Sequence, residues 1–168
     1  MKSTEGRAKT AFYAQSFDGK LLLTTCVFLM LAAGLYGLSW NAVTAGFLSD
    51  DAVYLLMADS FGANAKENPE LAGYVMRQSL FPPLYPLLLA AFGAGSSDVL
   101  KAHLVTTTTF VIALGIFGAW IYSQTRDRIA SILLVLAFAL LPGVLLQNLE
   151  TLSDFPFLLF SLLALWLA

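Results

Sequence analysis

Phe81-Pro82-Pro83-Leu84-Tyr85-Pro86-Leu87-Leu88-Leu89-Ala90-Ala91-Phe92-Gly93 is the stretch on which the topology turns. From Leu84 to Ala94 it offers about eleven apolar residues, ~17 Å as helix, against a hydrocarbon core of ~30 Å. A helix of that length cannot cross a bilayer. Its prolines suit a first turn, where a missing N–H leaves no hydrogen bond unmade. The segment therefore reads as a re-entrant or interfacial helix. Charges further along agree: if it crossed, Arg126 and Arg128 would fall outside, and if it only dips they fall inside, where basic residues prefer to lie.

Downstream, Ala102 to Thr125 is uncharged and long enough for a span running inward. The hydroxyls of Thr106 to Thr109 are expected to bond to carbonyls one turn back. Gln124 to Arg128 is a short cytoplasmic turn. Ile129 to about Gln147 reads as the next span, running outward, with a kink at Pro142-Gly143. Residues 148–154 form a second external loop. Phe155 opens a fourth span with Pro156 in its first turn, and the fourteen residues that remain, ~21 Å of helix, are short of a crossing. The expectation is an incomplete portion of a larger protein.

Upstream, residues 21–49 carry no formal charge, so Leu21 to about Leu48 reads as the first span. At about 42 Å it tilts or projects beyond the core, and Trp40 suits an interfacial anchor. Residues 1–20 are a polar leader in which Lys2, Arg7, Lys9 and Lys20 outnumber Glu5 and Asp18, which places this end in the cytoplasm. Val43-Thr44-Ala45 has the small residues of a signal cleavage site, but the leader and the apolar run are both too long for a cleaved signal, and an uncleaved helix is the better reading. Residues 49–100 form the first external loop. Ser49 suits an N-cap, two acids follow at the positive helix end, and Val53, Leu56, Met57 and Phe61 continue a short helix near the membrane surface.

Composition sets the class. Of 168 residues, 58% are hydrophobic and 12% charged, with the charges clustered between long apolar runs. That is an all-α, polytopic transmembrane bundle of about four spans with a juxtamembrane helical external loop, integral to the cell's inner or plasma membrane. A net charge of −2 without a basic tract argues against nucleic acid as a partner. One cysteine, Cys26, rules out an internal disulfide framework or a thiolate metal site.

Ser49-Asp50-Asp51-Ala52-Val53-Tyr54 then stands out, because acids where a span leaves the bilayer stay ionised only by facing water or a polar partner. On this topology Asp50, Asp51, Glu150 and Asp154 share the external face. Glu150 and Asp154 lie four apart, on one side if the backbone is helical. Carboxylates from two hairpins there can serve as a general base, bind a divalent cation or orient sugar hydroxyls. The plainer readings are acids that complement a helix dipole and acids of a solvated loop. Tyr54 either holds the Asp50 carboxylate or sits at the interface. His103 is expected as a packing or interfacial histidine, and Lys101 and Arg77 can meet a phosphate.

The acid pair, Tyr54 three residues on, Pro82-Pro83-Leu84-Tyr85, and Glu150-Thr151-Leu152-Ser153-Asp154-Phe155-Pro156-Phe157 occur in an order that resembles membrane glycosyltransferases of the GT-C fold. The nearest likeness is to the protein O-mannosyltransferase and lipid A aminoarabinose transferase superfamily. The resemblance implies a GT-C-like domain over residues 21–168 and a polyprenyl-phosphate-linked sugar as donor. A glycan, lipid or protein would be the acceptor on the outer face, with transfer inverting the anomeric carbon. It implies Asp50 as general base, with Asp51 beside it and Tyr54, Arg77, Tyr85, Lys101, Glu150 and Asp154 shaping the substrate site. In some relatives such acids bind a divalent metal ion, which would fall here to Asp51 and Asp154. The sequence departs from the family where its second acid is Asp rather than Glu, and where Phe81 replaces the basic residue or histidine before the paired prolines. A fragment of this size would be inactive alone. The rival reading is a non-catalytic membrane protein, a transporter or assembly subunit. It calls for charged residues inside the spans, and the three full apolar runs contain none.

Overall fold

A computed structural model describes residues 19–41, 49–62, 70 and 81–167. Among these the chain is all-helical: α1 Gly19–Asn41, α2 Ser49–Phe61, α3 Leu84–Ala91, α4 Val99–Thr125, α5 Arg128–Ala139, α6 Pro142–Gln147 and α7 Asp154–Leu167. Two helices are long and apolar enough to cross a membrane, Leu21–Trp40 within α1 and Val99–Thr125. Only 6% of the apolar window of α1 and 39% of that of α4 are buried within the chain. By length and composition alone, these two helices fit a membrane span.

Helix α4 is the post around which the others stand, packed against α7, α5 and α1. Tyr36 and Ser39 near the end of α1 meet Thr108 and Thr107 near the start of α4, whereas Phe28 lies at Gly115 further down. Val135 sits 3.1 Å from where a Cβ on Gly118 would be. Phe138, one turn later on α5, reaches back to Phe110 and Phe117. Both α1 and α5 therefore run antiparallel to α4. Phe155 at the start of α7 stacks on Phe110 with centroids 4.0 Å apart, so α7 descends alongside α4 from the same end. A missing side chain at Gly118 is what lets α5 approach this closely.

Helix α3 is eight residues long, about 12 Å, and packs with α2 beside the first turns of α4. Tyr85 supplies the tie, its hydroxyl 2.7 Å from the Thr106 hydroxyl. Asp98 caps α4 by accepting from the Lys101 N–H, and Asp127 caps α5 by accepting from those of Ile129 and Ala130. Arg126 takes the left-handed conformation, φ 56°, that ends α4.

Three expectations need correction. Pro142 does more than kink a helix: α5 stops at Ala139 and α6 begins at Pro142, because Leu141, preceding a proline, is extended at ψ 131°. Ser49 is the first residue inside α2 rather than the residue before it. Thr107 does not bond to its own helix as Thr106, Thr108 and Thr109 do. Its hydroxyl donates instead to Asn148 and pairs with Ser39.

Apolar packing falls into two bodies. One joins Tyr54, Leu55, Ala58, Tyr85, Leu89, Ala94 and Ala102 at the loop-rich end. The other joins Leu35, Phe110, Leu114, Val135, Ala139 and Phe155 inside the bundle. On α4 the residues between Ala102 and Phe110 include His103, Thr106 and Thr107, all buried. A polar layer thus separates the two cores.

Candidate functional site

The site is built where α2, the start of α4 and the loop before α7 come together. A helix advances about 100° per residue, so neighbours in sequence face different ways. Asp50 is exposed, whereas Asp51 is completely buried. One Asp51 oxygen accepts from the Ala52 N–H at 2.7 Å, and the carboxylate acts electrostatically on Tyr85, His103 and Glu150. Asp51 is therefore the charge shared by all three segments.

Tyr54, one turn beyond Asp51, is buried. Its hydroxyl hydrogen-bonds that of Ser153 at 3.0 Å, and its ring meets Phe81 and Tyr85 edge-on at 5.5 and 5.2 Å. The hydroxyl bond ties the loop before α7 to α2. Phe81, at the position where the resemblance leads to a basic residue or histidine, is packing for that ring. Tyr85 is buried, and its phenol is pushed above its ordinary range chiefly by that burial, with the Thr106 hydrogen bond opposing and the charges of Tyr54 and Asp51 adding.

Glu150 is half-buried and Asp154 exposed at the first turn of α7. The Glu150 carboxyl is pushed up by burial first, then by the negative charges of Asp51 and Asp154. Glu150 thus feels acids from both sides, which brings Asp51, Glu150 and Asp154 to one end of the bundle. Lys101 is exposed and already engaged, 2.9 Å from the Asp98 carboxylate and 3.2 Å from the Gly93 carbonyl. That pairing holds the Asp98 carboxyl below its usual range. Arg77 lies outside the described residues.

Two arrangements escaped the reading of the sequence. Asp59 is buried and accepts from the Ser96 N–H at 3.1 Å and from the Ser96 hydroxyl, tying α2 to the turn after α3. Asn148, also buried, donates to the Leu35 carbonyl at 3.2 Å and the Ser39 hydroxyl at 3.1 Å while accepting from Thr107 at 3.2 Å. A polar residue at the edge of an apolar run was the available signal for both, though nothing in it named their partners. His103 is buried as expected, but neither ring nitrogen has a hydrogen-bond partner.

Among the described residues no three His, Cys, Asp or Glu side chains converge in a way that would hold a metal ion. An apolar groove of about 400 Å³ opens between α1, α4 and α5, lined by Phe28, Leu31, Gly118, Tyr122 and Val135 among others. It lies toward the Arg128 end of α4, away from the acids. No family model, curated protein or solved structure matches this chain.

Proposed function

We propose that the chain belongs to a membrane glycosyltransferase that moves a sugar from a polyprenyl-phosphate-linked donor to an acceptor hydroxyl on the extracytoplasmic face. In this reading α1, α4, the broken α5–α6 pair and α7 are four passes of a GT-C-like bundle, with residues 1–20 in the cytoplasm. The observation that carries it is the hydrogen bond between the Tyr54 and Ser153 hydroxyls, which brings the acid-bearing helix α2 to the loop that holds Glu150 and leads to Asp154. A solvated loop has no need of such a tie to another helix.

Asp50, exposed at the start of α2, is the base. It takes the proton of the acceptor hydroxyl as the oxygen attacks the anomeric carbon. The bond from that carbon to the phosphate oxygen breaks, polyprenyl phosphate leaves with the electron pair, and the centre inverts. Lys101 and Arg77 are the cations offered to the departing phosphate, Lys101 from a position already fixed by Asp98. Asp51, Tyr54 and Tyr85 hold the wall of the site.

Replacing Asp50 by Asn in the full-length protein tests the assignment. Sugar transfer to acceptor should fall by at least about a hundredfold, the scale of general-base catalysis, while expression is unchanged. Normal turnover in that variant removes Asp50 as the base.

A further inference from the structure

We infer that the groove between α1, α4 and α5 holds one acyl chain of an anionic phospholipid, with the lipid's phosphate on Arg128. The site is separate from the acids. It needs only that α1 and α4 cross a bilayer, whether or not the protein transfers a sugar.

The groove encloses about 400 Å³ and runs from Leu21 to Leu31 on α1, with α4 and α5 as its other walls. Ten residues of helix make it ~15 Å long. Volume over length leaves a cross-section of roughly 27 Å², against roughly 80 Å² for a helix ~10 Å across. A further helix is too thick to enter such a slot, whereas an extended hydrocarbon chain, one methylene wide, is not. Gly115 and Gly118 leave α4 bare along it. A Cβ at those positions would already stand 3.6 Å from Phe28 and 3.1 Å from Val135.

Chemistry selects the occupant. Thr25 donates its hydroxyl to the Leu21 carbonyl at 2.9 Å and Ser131 donates to the Asp127 carbonyl at 2.8 Å, so both protons are spent within the protein. Charge enters at one end only: among the described residues that line the groove, Arg128 alone carries one. Arg126 is exposed, whereas Arg128 is half-buried, its guanidinium carbon 5.7 Å from the centre of the Tyr122 ring. Asp127, between them, is turned onto the Ile129 and Ala130 N–H groups. An apolar slot with a guanidinium at its mouth matches an amphiphile with a negative head. Arginine takes phosphate oxygens in pairs, through N–H groups fixed in one plane. A cationic head is repelled, an uncharged one gains nothing from the guanidinium, and a free phosphate leaves the slot unfilled. Arg128 follows the end of α4, where a span meets the membrane surface, and basic pockets between spans at that depth suit acidic lipid head groups.

The full-length protein in detergent micelles, titrated with lipid and read by native mass spectrometry, provides the test. The probes are dioleoyl phosphatidylglycerol, dioleoyl phosphatidylcholine, undecaprenyl phosphate and glycerol phosphate. One phosphatidylglycerol should bind about fivefold tighter than phosphatidylcholine, the worth of one basic group near an acidic lipid surface. Arg128→Gln should abolish that preference. Arg126→Gln, which removes an equal charge outside the groove, should keep it. Ala119→Phe puts a ring into the groove from an exposed position on α4 and alters no charge, and it should weaken phosphatidylglycerol binding by a similar factor. Glycerol phosphate, a head without a chain, should not bind. The two groove variants alter different helices, so a folding fault in one leaves the other to decide. Equal affinity for the two phospholipids overturns the proposal, as do equal losses in Arg126→Gln and Arg128→Gln, since any surface charge would then serve. Unchanged binding in Ala119→Phe puts the chain elsewhere and overturns it too. Tighter binding of undecaprenyl phosphate gives the groove to the donor's carrier, and no retained lipid leaves it to another segment of the protein; either result ends the proposal.

Discussion

Asp50 and Asp51 differ by one position in the chain and by nearly everything in environment, one exposed and the other completely buried. Burial and like charge act on Glu150 as well, and a stability consequence follows. Its folded carboxyl is raised above the ordinary 4.5, so the folded state holds that proton more tightly than the unfolded chain does. The associated stability is complete below about pH 4.5 and is lost as pH rises through the raised value. Glu150→Gln removes that dependence: in melting curves from pH 4 to 7 the variant should gain on the wild type as pH rises. A constant difference across the range means that Asp51 and Asp154 do not act on Glu150. Tyr85 offers a smaller test. Thr106 spends its only proton on the Ala102 carbonyl at 2.9 Å, so Tyr85 must be the donor in their 2.7 Å bond. Tyr85→Phe leaves one Thr106 lone pair unmet and should lower stability by about 0.5–1.5 kcal/mol in denaturant titration, with the fold retained.

At the scale of elements, α2 and α3 are too short to stand alone and are held by a shared apolar core and by polar ties to their neighbours. Asp59 is one tie for α2, and Gly95 makes room for it: a Cβ on Gly95 would run into the Asp59 carboxylate, 2.9 Å from its carbon. Gly95→Ala must therefore push the carboxylate off Ser96. The expected cost is about 1–3 kcal/mol, together with faster amide exchange at residues 94–98. An exchange pattern indistinguishable from wild type shows that Asp59 does not hold this turn. The run of residues 129–147 is also decided at this scale. Its apolar length reads as one span, yet the restriction proline imposes on Leu141 divides it into two short helices.

Across the whole molecule, the polar layer at Ser39, Thr107 and Asn148 ties α1, α4 and the segment before α7. Hydrogen bonds between apolar helices average only about 0.6 kcal/mol, so three at one residue set the scale of the effect. Asn148→Leu should cost about 1–2 kcal/mol in thermal unfolding in detergent, chiefly by loosening α1 from α4. An unchanged midpoint means that packing alone holds α1. Topology is tested at the same scale. Single cysteines at positions 50 and 154 should react with a membrane-impermeant thiol reagent from the same side of the bilayer, and labelling from opposite sides ends the transferase reading.

Periodicity and charge alone determined the helical class, the two long apolar helices, the shortness of the segment from Leu84 and the acid-bearing first turn of α2. Those properties follow from apolar run length and from prolines and acids whose effects reach only a turn or so along the chain. Only the tertiary structure decided that Asp51 rather than Asp50 is buried, that Tyr54 reaches Ser153, that Thr107 leaves its own helix for Asn148, and that His103 and Thr151 are left unpaired. The Tyr54–Ser153 and Thr107–Asn148 bonds join residues 99 and 41 positions apart, and the burial of Asp51 depends on which side of α2 faces the rest of the chain. Local preferences say which face a side chain occupies. Which partner awaits it there is set by how the helices pack.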